Sequence, residues 1–161
     1  MERTQIRRID APFGEVWLSA ADGCLTGLTF AGEAPFERPG SAEQRVLDEA
    51  ERQLRAYFAG RLRAFDLPLR LGGTPFQQSV WRALGQIPYG KTATYADIAR
   101  AIGRPRAFRA VGMANHSNPI SIVIPCHRVV GASGALTGYA GGLDAKRWLL
   151  DHERRWADVE V

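Results

Sequence analysis

The sequence predicts an α+β protein in two parts. A small N-terminal domain with an antiparallel sheet plus one helix precedes a mostly helical C-terminal domain containing a helix-turn-helix. Three observations predict this. The first thirty residues alternate imperfectly around turn signals, one amphipathic helical run follows, and from Pro75 onward apolar residues recur at helical spacing. The run Gly72-Gly73-Thr74-Pro75 divides the two patterns and sets the expected boundary, 1–72 against 73–161.

Element by element, Thr4 to Ile9 and Glu15 to Ser19 read as strands, and Leu25 to Phe30 follows the Asp22-Gly23 turn signal. A Gly/Pro/Glu-rich loop spans 31–40, after which Ser41 and Gln44 have the spacing of a capping box. Val46, Leu47, Ala50, Leu54, Tyr57 and Phe58 then mark a helix that Gly60 ends. Residues 61–71 read as a connector. Thr74 and Pro75 open a second helix with the stripe Phe76, Val80, Trp81, Leu84 and Ile87, and Pro88-Tyr89-Gly90 turns the chain. A short helix from Tyr95 to Ala101, with Ile98 and Ile102 inward, stops at Gly103. Pro105 is expected to open the next, through Asn115. Two short helices joined by a Gly-Arg-Pro turn have the shape of a helix-turn-helix. Beyond Pro119, residues 120–124 read as a strand leading to Cys126. Six Gly or Ser residues within 131–142, with Tyr139 among them, predict a mobile loop. A last helix, 143–153, carries Leu143, Trp148, Leu149, Leu150 and Glu153.

Composition narrows the function classes. With 45% hydrophobic and 24% charged residues, the chain is that of a soluble globular protein. No apolar run approaches the ~20 residues needed to span a bilayer. No signal-like segment follows Met1-Glu2-Arg3, so a cytoplasmic location is expected, where Cys24 and Cys126 stay reduced. Without a Cys-x-x-Cys or ligand-like His spacing, no metal is expected, and Cys24 reads as buried. Charge is lopsided. Residues 1–74 hold 10 Lys/Arg and 11 Asp/Glu, whereas 75–161 hold 11 and 6. Arg100, Arg104, Arg106 and Arg109 fall in a stretch without carboxylates. Such a patch fits a polyanion partner or a solvated basic face, and charge alone leaves both open.

The chemistry concentrates in Ile124-Pro125-Cys126-His127-Arg128-Val129. A thiol is a good nucleophile only as thiolate, and a neighbouring base and positive charge are what promote that form. Adjacent side chains in an extended segment point apart, so a water should bridge Cys126 and His127, with a third group orienting the imidazole. Glu153 and Asp151 are the two candidates. On these residues alone, any cysteine nucleophile chemistry remains open, including hydrolysis of small acyl or amide substrates.

The string Ile-Pro-Cys-His-Arg-Val, preceded by Asn118-Pro119 and followed by Gly138-Tyr139-Ala140-Gly141-Gly142-Leu143, resembles the active-site region of the O6-alkylguanine-DNA alkyltransferases. Phe76-Gln77, Val80-Trp81, Ile87-Pro88-Tyr89-Gly90, Tyr95, Ile98-Ala99 and Arg109-Ala110-Val111-Gly112 extend the likeness, which is dense over 75–153. It implies direct-reversal DNA repair. The alkyl group of O6-alkylguanine, and of O4-alkylthymine, would pass irreversibly to Cys126 in a single turnover. No cofactor is implied, because the substrate carries its own electrophile.

The resemblance also implies roles residue by residue. Glu153, His127 and a water would draw off the thiol proton, and the Tyr95 hydroxyl would face guanine N3. Val129, Tyr139, Ala140 and Asn118 would shape the base site, Asn118 by tying the helix-turn-helix to the active-site strand. Arg109 would fill the gap left by a flipped base, while Thr94, Arg106, Ala107, Gly112 and Arg128 would lie along the DNA. The implied partner is double-stranded DNA, held mainly through the minor groove and phosphates without sequence reading, by a monomer. Cooperative loading on one duplex stays open. Phe108 departs from the small residue of many relatives, and reads either as a core aromatic or as an apolar wedge. A stand-alone form, without a fused regulatory domain, is expected.

Overall fold

Three strands open the chain: β1 (Gln5–Ala11), β2 (Gly14–Ala21) and β3 (Cys24–Thr29), antiparallel in the order β1-β2-β3. The computed structural model describes residues 4–30 and 42–159. Its chain divides into two units between Leu71 and Gly72.

In the first unit, Asp22 (φ 51°) and Gly23 (φ 75°) form the two-residue turn between Ala21 and Cys24. Two left-handed residues match the twist of the paired strands, which is why Asp-Gly closes this hairpin. Val16, Leu18 and Ala20 alternate inward from β2, and helix α1 (Ala42–Phe58) covers them with Val46, Leu47, Ala50, Leu54 and Tyr57. The Ser41 cap and the 31–40 loop lie outside the described residues.

The 61–71 stretch does more than connect. Gln53, buried on α1, grips both backbone groups of Asp66: its Nε2 donates to the carbonyl at 2.8 Å and its Oε1 accepts the N–H at 2.9 Å. Further on, Leu25 N–H donates to Pro68 O (2.7 Å) and Arg70 N–H to Leu25 O (2.9 Å), lengthening the sheet edge. Cys24 is half-buried rather than buried, because it begins β3 immediately after an exposed turn.

The second unit opens with α2 (Pro75–Leu84). Thr74 and Gln77 cap it reciprocally, and Val80, Trp81 and Leu84 are buried. The Trp81 indole N–H donates to Ala114 O at 2.8 Å, joining α2 to α4 (Phe108–His116). Between them come the short strand β4 (Ala93–Thr94) and α3 (Tyr95–Ala101), capped by Thr94 and Asp97. Ile98 is buried and Ile102 half-buried.

Two expectations need correction. Helix α4 starts at Phe108, not at Pro105. Gly103 (φ 75°) reverses the chain, and Ala107 N–H bonds to Arg104 O, which leaves Pro105 inside a tight turn. Residues 120–124 are not an extended strand either. Ile124 N–H bonds back to Ile120 O at 3.0 Å, and Ile122 adopts φ 72°. A β-branched residue there is strained and persists only where its surroundings hold it. Burial of Ile120, Ile122 and Ile124 supplies part of that hold.

A single 3₁₀ turn (Cys126–Arg128) leads into β5 (Val129–Val130), which pairs in parallel with β4. Helix α5 (Leu143–Trp156) closes the unit. Among the described residues no helix is long and apolar enough to cross a membrane.

Candidate active site and nucleic-acid interface

The turn at Cys126–Arg128 decides where three neighbouring side chains go. A 3₁₀ turn separates successive side chains by about 120°. Cys126 therefore points one way, with its thiol donating to Ser121 Oγ at 3.9 Å. His127 points another, its Nε2 2.7 Å from Glu153 Oε2. Arg128 takes the third direction: Nε donates to Glu153 Oε1 (2.8 Å), Nη2 to Oε2 (3.0 Å) and Nη1 to Ile87 O (2.7 Å). Cys126, His127, Arg128 and Glu153 are exposed by 4%, 0%, 7% and 1%. This corrects the expectation that Arg128 lies along DNA. Its guanidinium is a buried clamp on Glu153.

Of the two candidate carboxylates, Glu153 meets the imidazole. Asp151 is exposed on α5, paired with Arg154 at 3.3 Å. The Pro88-Tyr89-Gly90 turn closes on the same group, with Gly90 N–H 3.3 Å from Glu153 Oε1. Glycine is required there: φ is 78°, and an added Cβ would stand 2.7 Å from Ala157 Cβ.

The electrostatics set the protonation states. Burial pushes the Cys126 thiol up, against the opposing pull of its hydrogen bonds with Asn118 and Ser121 and the Lys146 charge. Burial lowers His127 despite the Glu153 carboxylate beside it. Burial alone would raise Glu153, but His127 and Arg128 outweigh it and hold the carboxyl far below the usual range. Near neutral pH the thiol therefore keeps its hydrogen and the imidazole is neutral. With Nε2 facing a carboxylate, the hydrogen belongs on Nε2 and Nδ1 is an acceptor. Nδ1 is buried and, among the described residues, has no hydrogen-bond partner.

Asn118 braces the strained turn. Its Nδ2 donates to Ile124 O at 2.7 Å and its Oδ1 accepts from Ile120 N–H at 3.0 Å, both bonds buried. Asn118→Ala strands these groups, and we expect a stability loss of about 1–3 kcal/mol in urea unfolding. An unchanged midpoint would show that the turn holds itself.

Tyr95 reaches the same region because β4 pairs Ala93 with Val129 and Thr94 with Val130. Its hydroxyl lies 2.5 Å from Thr137 Oγ1, and an added Cβ on Gly112 would stand 3.7 Å from its ring. Val129 is buried and Ala140 exposed. Tyr139 is buried, and burial with the neighbouring Cys126 raises its phenol well above the ordinary value.

The basic helix pair is presented outward. Arg106 and Arg109 are exposed and, among the described residues, have no carboxylate partner, whereas Arg100 pairs with Asp97 and Arg104 lies over the Phe76 ring at 5.8 Å. Thr94 caps α3, and Ala107 stands at the N-cap of α4 without a side-chain cap bond. Phe108 is 48% exposed, so it is no core aromatic.

Sequence reasoning missed Ser121, Thr137 and Lys146. Only Lys146 left a trace. It falls on the α5 stripe between Leu143 and Leu149–Leu150, a position that reads as core, and its ammonium is wholly buried. Among the described residues no three His, Cys, Asp or Glu side chains gather as a metal site needs.

Residues 75–155 match the 6-O-methylguanine DNA methyltransferase, DNA binding domain, and residues 7–71 its ribonuclease-like domain. A methylated-DNA–protein-cysteine methyltransferase of Methanosarcina barkeri is 52% identical over 148 residues, covering 90% of this chain and 94% of the relative. One from Mycolicibacterium paratuberculosis is 51% identical over 159 residues, covering 98% and 96%. Among solved structures, Mycobacterium tuberculosis OGT in complex with DNA superposes with a TM-score of 0.84 at 49% identity, covering 94% of this chain and 93% of that one. Both halves are thus matched, with about half the residues identical along nearly the whole length, and the chain belongs to the 6-O-methylguanine DNA methyltransferase family.

Proposed function

We propose that this protein repairs DNA by irreversible, single-turnover transfer of the alkyl group of O6-alkylguanine, and of O4-alkylthymine, to Cys126. The observation that carries the reading is the buried Cys126–His127–Glu153 array, with Nε2 of the imidazole committed to the carboxylate and Nδ1 left as an acceptor. A neutral thiol must lose its proton as it reacts. A water passes that proton to His127 Nδ1, and Glu153 stabilises the imidazolium that forms. The sulfur attacks the alkyl carbon, an S–C bond forms and the C–O6 bond breaks with its electron pair going to the base. The Tyr95 hydroxyl donates towards guanine N3 as that charge develops. Overall the thiol hydrogen ends on the base and the alkyl group stays on sulfur.

A base paired within the duplex cannot reach a buried thiol, so the lesion must be flipped out. In this reading Arg109 fills the gap, and Arg106 and the start of α4 hold the minor groove and phosphates without reading sequence. Val129, Tyr139 and Ala140 line the base site, and Asn118 keeps the active turn in register. The protein acts as a monomer. Residues 1–72 act as structural support, since every reacting residue lies beyond them. A reduced thiol as reagent fits a reducing compartment such as the cytoplasm.

Intact-mass measurement after incubation with a duplex carrying one O6-methylguanine tests the reading. One methyl per chain, mapped to Cys126, is the expected result. No adduct, or many product equivalents per chain, would overturn it. Arg109→Ala should slow transfer from duplex by about tenfold or more, since flipping costs a few kcal/mol, while reaction with free O6-benzylguanine stays unchanged.

A further inference from the structure

The loop at 131–142 contains one residue tied down from two sides. Thr137 Oγ1 sits 2.5 Å from the Tyr95 hydroxyl, and the Thr137 carbonyl accepts the Lys146 ammonium at 3.2 Å. Lys146 is fully buried on α5. Burying an ammonium is unfavourable unless its hydrogens are used, so this contact ranks above a surface lysine bond. The Thr137 methyl also packs across the loop, since an added Cβ on Gly131 would lie 3.5 Å from its Cγ2. The side chain is therefore held, and its hydroxyl is the group that meets Tyr95.

We propose that Thr137 is a positioning residue for alkyl transfer: anchored through its backbone by Lys146, it donates its hydroxyl hydrogen to the Tyr95 oxygen and aims the Tyr95 hydrogen at the departing base. This rests on the role given to Tyr95 above. A hydroxyl pair has two senses. With no acceptor nearby, either oxygen can donate to the other. With a base beside Tyr95, the phenol hydrogen turns to the ring nitrogen and Thr137 supplies the bond to the phenol oxygen. That second bond stabilises the oxygen as its own hydrogen is drawn away, because linked hydrogen bonds polarise one another. It also removes a rotational choice from Tyr95 before the base arrives. No covalent step is added. Thr137 acts only through Tyr95.

The test uses the full-length protein and a duplex carrying one O6-methylguanine, with single-turnover rate at saturation measured separately from duplex affinity. Thr137→Val keeps the shape and removes the hydroxyl. It should slow the saturated rate by about tenfold with affinity unchanged. Thr137→Ser keeps the hydroxyl and should restore most of the rate. In a Tyr95→Phe background, Thr137→Val should add no further slowing. Three outcomes overturn the inference: a wild-type rate for Thr137→Val, an equal loss for Thr137→Ser, or the same factor with and without the Tyr95 hydroxyl. A wild-type rate for Tyr95→Phe would instead remove the role given to Tyr95. Transfer persisting without Cys126 would remove the whole reaction assignment.

Discussion

Replacing Cys126 by Ala leaves no acceptor, so alkyl transfer stops while the protein still binds duplex. Cys126→Ser should behave alike, because a hydroxyl in this site is a far weaker nucleophile than the thiol it replaces. The fold should survive, as the side chain is small and its hydrogen bonds, among them the long one to Ser121 at 3.9 Å, are those of a weakly bonding thiol. A stability change of about 1 kcal/mol is the ordinary scale for such a substitution. Intact mass reports the transfer and fluorescence anisotropy the binding. An alkylated chain lacking Cys126 would place the acceptor elsewhere, and Cys24, half-buried at the start of β3, would be the first residue to map.

The second large effect belongs to Glu153. Glu153→Ala strands the Arg128 guanidinium, and breaking a buried ion pair by removing one partner costs about 3–5 kcal/mol. Pairing that change with Arg128→Met should be milder than Glu153→Ala alone, because no charge is then left uncompensated. Glu153→Gln keeps the shape but loses the charge that stabilises an imidazolium, and should slow transfer by about 10²–10⁴-fold. The pH dependence follows in sign. A carboxyl depressed in the folded state contributes stability above its unfolded pKa of about 4.3 and loses it as pH falls towards the folded value. Urea midpoints from pH 7 down to pH 3 should fall less steeply for Glu153→Gln than for the parent. Equal slopes would mean that Glu153 is not the group whose protonation unfolds the site.

How much of this was legible in the residues differs from place to place. Helix α2 was readable because its cap, its first-turn proline and its apolar stripe all agree. The Asp-Gly hairpin was readable because few other pairs tolerate two left-handed residues in succession. Cys126 and His127 stood out by chemical type, whereas Glu153 and Asp151 were equal candidates on the residues alone and only the resemblance selected Glu153. That choice depends on which side of α5 faces the turn. The 120–124 segment misled for a definite reason: an Ile/Val-rich run reads as extended, whereas the Asn118 side chain, acting across several residues, helps to hold it bent. Arg128 misled in another way. The resemblance implied a place along the DNA for it, and its inward turn follows from the 3₁₀ geometry of three residues. Thr137 lay in a glycine-rich loop, where a lone threonine carries no signal of a partner forty-two residues away.

The burial of Cys126 has one further consequence. A protein that reacts only once has a shelf life, set by every stray oxidant and electrophile in its surroundings. An exposed thiolate would be used up by such encounters, since that form is both the nucleophile and the species that oxidises. Here the sulfur is 4% exposed, and burial favours its protonated form. The slower native chemistry of a neutral thiol is thus also storage. On the mechanism proposed above, the proton leaves through water to His127 Nδ1 only as a base seated beside the sulfur takes the attack.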